Sequence, residues 1–486
     1  MKEIVFTQEL FSTCFNHLLQ DKTKENMVYA IAGVNKTSEG VRLLVKELFP
    51  AGSDDLDGQS GAHLNPKRDF VKMVLKRCLK EGLSFIEMHS HPFVKGGVAF
   101  SSIDWANEER LMPYVAERIP KIWHAALVFG QSSICGYLWD RREKKIAPLD
   151  RIRLVGCPLQ FIPLGQGRKE KEGSEREEWN ELYSRQIAAF GKGSQERLKE
   201  LKVGIVGLGG TGSIVNQALA HLGVGHLILI DPDVVERSNL NRLVGATHKD
   251  VILKRAKVSV AKRVARAVNP RIKVTALKRS IFEEQAMKRL KEVDIIFGCT
   301  DSNITRVLLN QLSIQYLIPY IDLGSGIETN ENKDINLVCA QARTVIPGEW
   351  CLSCINGLKY EEAAKELIDP EVLKDLREQN YGIGKEGFAP QVIWLNAVVS
   401  NLAIAEFMNM ISPSPFKKPA PYVFYNALKP ELLIVPRKRR EDCAFCGVEG
   451  IIGLGDVEPL PKFERERKIP INIKVVGDCN GRNTNK

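Results

Sequence analysis

His89 and His91 stand two apart behind the apolar run Leu83–Met88. Alternate residues of a strand face the same side, so both imidazoles point into one space. That geometry suits two ligands of one zinc ion, and Asp104, at the start of the next helical stretch, adds a third. Three protein ligands with a position left for water is the arrangement of a catalytic zinc, which polarises water for attack on a carbonyl when a carboxylate serves as base. The competing reading is structural: Ser101-x-x-Asp104 is also a capping box that satisfies helix N-terminal amides.

A second set of residues points to phosphate chemistry. Gly207-Leu-Gly209-Gly210-Thr-Gly212 follows a buried apolar run, Val203–Val206, and opens a helical one. Glycines permit a tight turn and close approach of backbone to phosphate, and a helix N-terminus favours an anion. Asp231 ends the next strand, the usual place for an acid that binds ribose hydroxyls. Asp233, Asn239 and Arg242 follow it, Lys257 begins a helix, and Asp301 ends a later strand. The glycine turn alone fits NAD as well as ATP. Arg242 and Lys257, which can pair with phosphate oxygens and a leaving pyrophosphate, favour ATP, and Asp301 is placed to hold magnesium.

Cys351/Cys354 and Cys443/Cys446 form two C-x-x-C pairs. Their spacing is that of a closed, structural four-thiolate zinc that staples distant parts of the chain. A redox role for either pair is the alternative.

The string E-x(n)-His89-Ser-His91-Pro-x(8)-Ser101-x-x-Asp104 resembles the JAB/JAMM metalloproteases, which cleave peptide or isopeptide bonds after the C-terminal glycines of ubiquitin-like proteins. The resemblance implies that His89, His91 and Asp104 bind zinc and that Ser101 helps hold the tetrahedral oxyanion. It also implies a catalytic acid just before an upstream apolar strand. Glu25, ahead of Met27-Val-Tyr-Ala-Ile-Ala, fits that place, with Glu47 second and Glu87 a neighbour of the histidines.

The run from Tyr183-Ser-Arg-Gln to Cys446 resembles the ThiF/MoeB/ubiquitin-activating superfamily, which adenylates the C-terminal glycine of ubiquitin-like proteins. The resemblance assigns Asp231, Asn239, Arg242, Lys257 and Asp301 to nucleotide, catalytic and magnesium positions, with Lys254 as the reserve for Lys257. It implies that Arg185 reaches into a partner subunit's ATP site, hence a homodimer, and that the cysteine pairs hold zinc. Thioester-forming relatives carry a nucleophilic cysteine after the first pair, whereas Lys359 to Ala389 contains none here. Adenylation alone, as in the MoeB branch, is the expectation. Cys299, Cys339 and Cys479 are substitutes, and Cys479 is the first of them to mutate.

These motifs need elements to hold them. Strand-like Val41–Phe49, helical Phe70–Leu79, a helix from Ser101, and strands at Trp123–Phe129 and Ile134–Trp139 predict an α+β unit. From Glu178 onward, helix and strand alternate strictly, which predicts a Rossmann-like, doubly wound parallel sheet. The α/β chain therefore divides into 1–150 for the JAB/JAMM-like domain, 151–177 as a charged linker, 178–450 for adenylation and 451–486 as a loose tail.

With 486 residues, 44% hydrophobic and 26% charged, the chain has the composition of a globular protein of two to four domains. The excess of 69 Lys+Arg over 59 Asp+Glu is mild, and the basic run 436–440 is followed at once by Glu441-Asp442, so a nucleic-acid partner is not expected. No apolar stretch predicts a membrane span and no signal-like segment opens the chain, which makes a cytoplasmic location the default. The expected enzyme uses ATP, magnesium and two zinc ions, one catalytic and one structural. It acts on a ubiquitin-like protein with a C-terminal glycine, with a conjugating enzyme as a further partner. An NAD-dependent oxidoreductase and a non-catalytic scaffold are the competing readings.

Overall fold

Period-2 sorting of small and branched residues builds the first sheet, because both of its faces are covered. In the computed structural model, which describes residues 1–60, 64–119, 123–140, 144–164, 174–330, 332, 334–368, 390–412, 419–436 and 438–461, its leading strands are β1 (Lys2–Thr7), β2 (Met27–Thr37) and β3 (Gly40–Pro50). β4 (Leu56–Gln59) and β5 (Leu64–Pro66) pair separately. β6 (Ser84–Ser90), β7 (Trp123–Phe129), β8 (Ile134–Asp140), β9 (Lys145–Pro148), β10 (Arg151–Val155) and β11 (Gln160–Pro163) complete the sheet, in the order β11-β10-β1-β3-β2-β6-β7-β8-β9. Val28, Ala30 and Ala32 of β2 face helix α1 (Gln8–Leu18) with Ile4, Phe6 and Leu18. Met27, Tyr29 and Ile31 face the other way, against Phe70 and Val74 of α2 (Arg68–Glu81) and Met112 and Val115 of α3 (Ser102–Arg118). α2 stops at Gly82, whose φ of +67° only glycine adopts without strain.

The sheet does not stop at residue 150. β10 pairs in parallel with β1, and β11 pairs with β10, so residues 151–155 and 160–163 are strands of the sheet and the stretch expected as linker is shorter than 151–177. The pairing of β10 with a strand at the far end of the unit leaves no local signal. Of the two arginines of β10, Arg153 is buried and Arg151 is half-buried. The rest of the expected linker, 165–173, lies outside the described residues.

The second sheet is the doubly wound one. The helix expected from Glu178 is two, α4 (Ser174–Leu182) and α5 (Ser184–Phe190), and α6 (Lys192–Glu200) follows. β12 (Lys202–Val206), α7 (Gly210–Leu222), β13 (His226–Ile230), α8 (His248–Ile252), α9 (Lys257–Val268), β14 (Lys273–Leu277), α10 (Glu284–Leu290), β15 (Ile295–Gly298), α11 (Asn303–Tyr316) and β16 (Tyr320–Thr329) alternate. The parallel order is β14-β13-β12-β15-β16. The chain reverses direction of travel across the sheet between β12 and β15, and a crevice opens there at the strands' carboxyl ends. β17 (Ile335–Val345), α12 (Tyr360–Lys365), α13 (Ile393–Ile411), β18 (Tyr422–Asn426) and β19 (Glu431–Ile434) follow, and the three strands extend the sheet antiparallel.

The two sheets are joined tightly. Arg42, Arg151 and Arg153 converge on Glu3, Arg153 also pairs with Asp294 of the second part, and Arg42 donates to the Glu292 carbonyl at 2.8 Å. The first residues of the expected tail are not loose: Gly33 N–H donates to the Gly453 carbonyl (3.2 Å) and Asp456 N–H to that of Val34 (2.6 Å). Gly453 and Gly455 N–H groups donate in turn to Ile314 and Gln315 of α11, so residues 453–456 lie as a strap across the seam. Residues 462–486, with Cys479, lie outside the described residues. Among the described residues, no helix is long and apolar enough to cross a membrane.

Candidate functional site

On β6, Phe85, Glu87 and His89 share the face that looks toward α2 and α3, while Ile86 and Met88 fill the core under α1. His91 lies just past the strand, its N–H held by the Phe129 carbonyl at 2.8 Å. α3 brings Asp104 across them: Oδ1 is 3.5 Å from His89 Nε2 and Oδ2 is 3.3 Å from His91 Nε2. One ligand atom from each of the three lies within 4.8 Å of the others. His89 Nε2 is buried without a hydrogen-bond partner among the described residues. A buried, orphaned imidazole nitrogen aimed at a carboxylate and a second imidazole fits a metal ion. Glu87 lies 3.2 Å from His89 Nδ1, the contact that turns Nε2 toward the site. Burial opposes a charge on His89, but Glu87 and Asp104 outweigh it and raise its pKa well above the ordinary value.

Of the two glutamates weighed as the base, Glu25 is the one at the site. Its Oε1 is 3.6 Å from His91 Nε2, it is buried, and burial raises its pKa against the opposing pull of the histidines. Glu47 is bound to Arg77 of α2 at 2.8 Å and belongs to the surface. Ser101 and Asp104 also form the capping box, with Asp104 N–H donating to Ser101 Oγ at 3.2 Å. The capping and site readings thus describe one arrangement, in which the cap fixes Asp104 beside the histidines. Glu108, which the sequence reading passed over, accepts from the Tyr137 hydroxyl at 2.6 Å, and burial pushes its pKa up to about 8.

The glycine turn lies at the crevice of the second sheet. Gly207 has φ +89°, and a Cβ on Gly212 would stand 1.9 Å from the Gly207 carbonyl oxygen, so both positions require glycine. Asp231 holds the turn from β13: its Oδ2 accepts from Leu208 N–H (2.6 Å) and its Oδ1 from Asp233 N–H (2.8 Å). A cavity of about 400 Å³ is lined by Gly207, Gly209, Gly210, Asp231, Asp233, Asn239, Arg242, Lys257 and Asp301. Lys257 Nζ pairs with Asp233 Oδ2 at 2.7 Å. Arg242 is braced by Gln391 Oε1 at 3.0 Å and the Ser238 carbonyl at 2.6 Å. Asn239 Oδ1 accepts from Glu236 N–H at 3.0 Å, which shapes the bend after β13. Lys257, not the reserve Lys254, is on the wall. The sequence reading missed Arg306, Ser325, Gln391 and Asn396, which also line it. No spacing rule marks them, since they come from elements that meet only in the fold. Arg185 is exposed on α5, outside the cavity wall.

The four paired cysteines meet. Sγ separations are 3.8 Å (Cys351–Cys354), 3.6 Å (Cys351–Cys443) and 3.3 Å (Cys354–Cys446). Tetrahedral zinc with bonds of about 2.3 Å sets its sulfurs about 3.8 Å apart, so the cluster fits that ion and leaves no open position for chemistry. Burial raises the thiol pKa values of Cys299 and Cys339, the opposite of what a nucleophilic cysteine needs. Most of the segment searched for a thioester cysteine, 369–389, lies outside the described residues.

Three comparisons bear on the second part. The family model described as "ThiF family" matches residues 183–446, more than half of the chain. The molybdopterin-synthase adenylyltransferase of Escherichia coli (strain K12) is 30% identical over 269 residues, covering 54% of this chain and 95% of the relative. The SAMP-activating enzyme E1 of Haloferax volcanii is 28% identical over 278 residues, covering 57% and 92%. Among solved structures, E. coli MccB matches at 23% identity with a TM-score of 0.43, covering 59% of this chain and 76% of that one. The glycine turn, the cavity that it walls and the match across them agree: the chain belongs to the ThiF family and carries a ThiF-family adenylyltransferase domain.

Proposed function

We propose that this protein activates the C-terminal glycine of a ubiquitin-like protein by ATP-dependent adenylation, and that a zinc peptidase site in its N-terminal part hydrolyses the bond after that same glycine. The observation that carries the first activity is the convergence of the glycine turn with Asp231, Arg242, Lys257 and Asp301 on one cavity. There the glycine carboxylate attacks the α-phosphorus of ATP, one O–P bond forms, the bond to the β-phosphate oxygen breaks, and pyrophosphate leaves. Asp231 binds the ribose hydroxyls, Asp233 and Asn239 shape the wall beside them, and Arg242 and Lys257 offset the charge that builds on the phosphates. Asp301 would hold magnesium, which neutralises phosphate charge when bound. A relative named sulfur carrier protein ThiS adenylyltransferase supports a protein as acceptor of the nucleotide.

The peptidase reading is supported by the orphaned His89 Nε2 facing His91 and Asp104, with Glu25 beside them. His89, His91 and Asp104 would hold zinc, which supplies Lewis acidity there. Glu25 takes a proton from water at its carboxylate and passes it to the leaving amine, and the Ser101 hydroxyl would donate to the oxyanion. The units run over 1–150, extended by β10 and β11, and 178–450, and the four cysteines hold a structural zinc. Exposed Arg185 completes the ATP site of a second copy in a homodimer, and a conjugating enzyme is the further partner.

Gly-Gly-terminated ubiquitin-like proteins, with and without a C-terminal extension, test both activities. ATP–pyrophosphate exchange that depends on the free glycine terminus, and zinc-dependent loss of the extension, are expected. Nicotinamide binding with no exchange would favour the oxidoreductase reading, and an inert protein with a full complement of zinc would favour the scaffold.

A further inference from the structure

Asn396 lies on α13, where that helix crosses the N-terminus of α7. The residue is 2% exposed. Its Oδ1 accepts from the Ser325 hydroxyl of β16 at 3.0 Å, which fixes one end of the amide. The other end, Nδ2, is buried and has no hydrogen-bond partner among the described residues. A buried donor left unpaired is costly and uncommon in folded proteins. This one is aimed at a particular place: a Cβ built on Gly210 would stand 2.2 Å from Nδ2 and 3.5 Å from Arg242 Cδ. The amide therefore hangs directly over the glycine turn, beside the Arg242 stem, on a wall of the cavity.

We propose that Asn396 is a phosphate-binding residue: its Nδ2 donates a hydrogen bond to a phosphate oxygen of the nucleotide in this cavity. The proposal rests on the adenylation reading and adds to it a contact that no motif marks. The ligand chemistry follows from the surroundings. The first turn of α7 presents backbone N–H groups and its positive dipole end to the same space, and Arg242 borders it, so an acceptor with negative charge is what the site solvates. Asp231, the ribose acid, stands on β13, whereas Ser325 and α13 approach from the β16 side, with β12 and its glycine turn between them. Asn396 thus meets the phosphate end of the ligand and not its nucleoside end. Gly210 is required because the amide needs the room that a side chain would take.

The test is calorimetric binding of ATP and of adenosine to the full-length chain, for the wild type, Asn396→Ala and Asn396→Asp. Loss of a hydrogen bond to a charged acceptor predicts about tenfold weaker ATP binding for Asn396→Ala. Asn396→Asp, nearly isosteric and still able to face Ser325, sets a carboxylate against phosphate and weakens ATP further. Adenosine, which has no phosphate, binds all three alike. ATP affinity unchanged in both variants would overturn the proposal, and so would equal losses for ATP and adenosine, the mark of a merely structural role. A wild type that binds adenosine but gains nothing from the phosphates overturns it as well. A wild type that binds neither ligand removes the nucleotide reading itself, and the role of Asn396 with it.

Discussion

Arg153 Nη2 of the N-terminal part lies 2.6 Å from Asp294 Oδ1 of the ThiF domain, and neither side chain is more than 5% exposed. Glu3 closes the cluster at 3.1 Å from the same guanidinium nitrogen. A surface pair of this kind contributes little, but a buried one cannot lose a member cheaply, because the remaining charge has no water to turn to.

Asp294→Ala is therefore expected to lower stability by about 3–5 kcal/mol. Urea unfolding followed by intrinsic fluorescence reads this directly. A loss under about 0.5 kcal/mol, the scale of an exposed substitution, would show that the seam is solvated.

Acid acts on the same cluster. Burial by itself would raise the Glu3 pKa, but Arg153, Arg42 and Arg151 overcome it and hold the group at about 2, against an ordinary value of 4.5. Because the folded value is the lower one, the stabilisation is complete above about pH 4.5 and drains away as pH falls toward 2. Glu3→Gln is expected to be less stable at neutral pH and to show a flatter decline of urea midpoint across that window. A parallel decline in both proteins would mean that other carboxylates govern the acid limb.

The cysteine cluster leads straight into the strap across the seam, since Cys446 is followed closely by Gly453 and Gly455. Cys354→Ser is expected to cost one zinc per chain by elemental analysis and more than about 2 kcal/mol of stability. Limited proteolysis should then cut between residues 447 and 460, where the wild type resists. Unchanged zinc content would mean that the four thiols do not hold the ion.

Glu25→Gln separates the two proposed activities. Removing a general base costs about 10²–10⁴-fold, so release of a C-terminal extension should fall by that factor while zinc content and ATP–pyrophosphate exchange stay as they were. Glu47→Gln, whose carboxylate pairs with Arg77, should leave all three unchanged. Equal losses in the two variants would reassign the base.

Much of the second site is legible in one dimension. The spacing Gly207, Gly209, Gly212, then Asp231, then Lys257, follows the alternation of strand and helix, and the fold places Gly207, Gly209, Asp231, Lys257 and the turn residue Arg242 on the crevice. The antiparallel extension β17–β18–β19 and the wall residues Ser325, Gln391 and Asn396 carry no such signature, because their partners are brought close only by the crossing of α13 over α7. At the first site, His89 and His91 are readable from the two-residue period of a strand. Asp104 is readable only as a pair of alternatives, cap or ligand, and the fold combines them.

What the amino-acid order determined by itself is local: a turn that only glycine can make, two imidazoles two residues apart at a strand's end, and cysteines paired at metal spacing. These follow from backbone sterics and side-chain direction, which act over a few residues. The tertiary structure alone decided which glutamate faces the histidines, that Arg42 and Arg153 are interior, and that β10, β11 and residues 453–456 join sheet and seam. Those outcomes turn on burial and on charge pairing between segments hundreds of residues apart, and nothing in the neighbouring sequence records the partner.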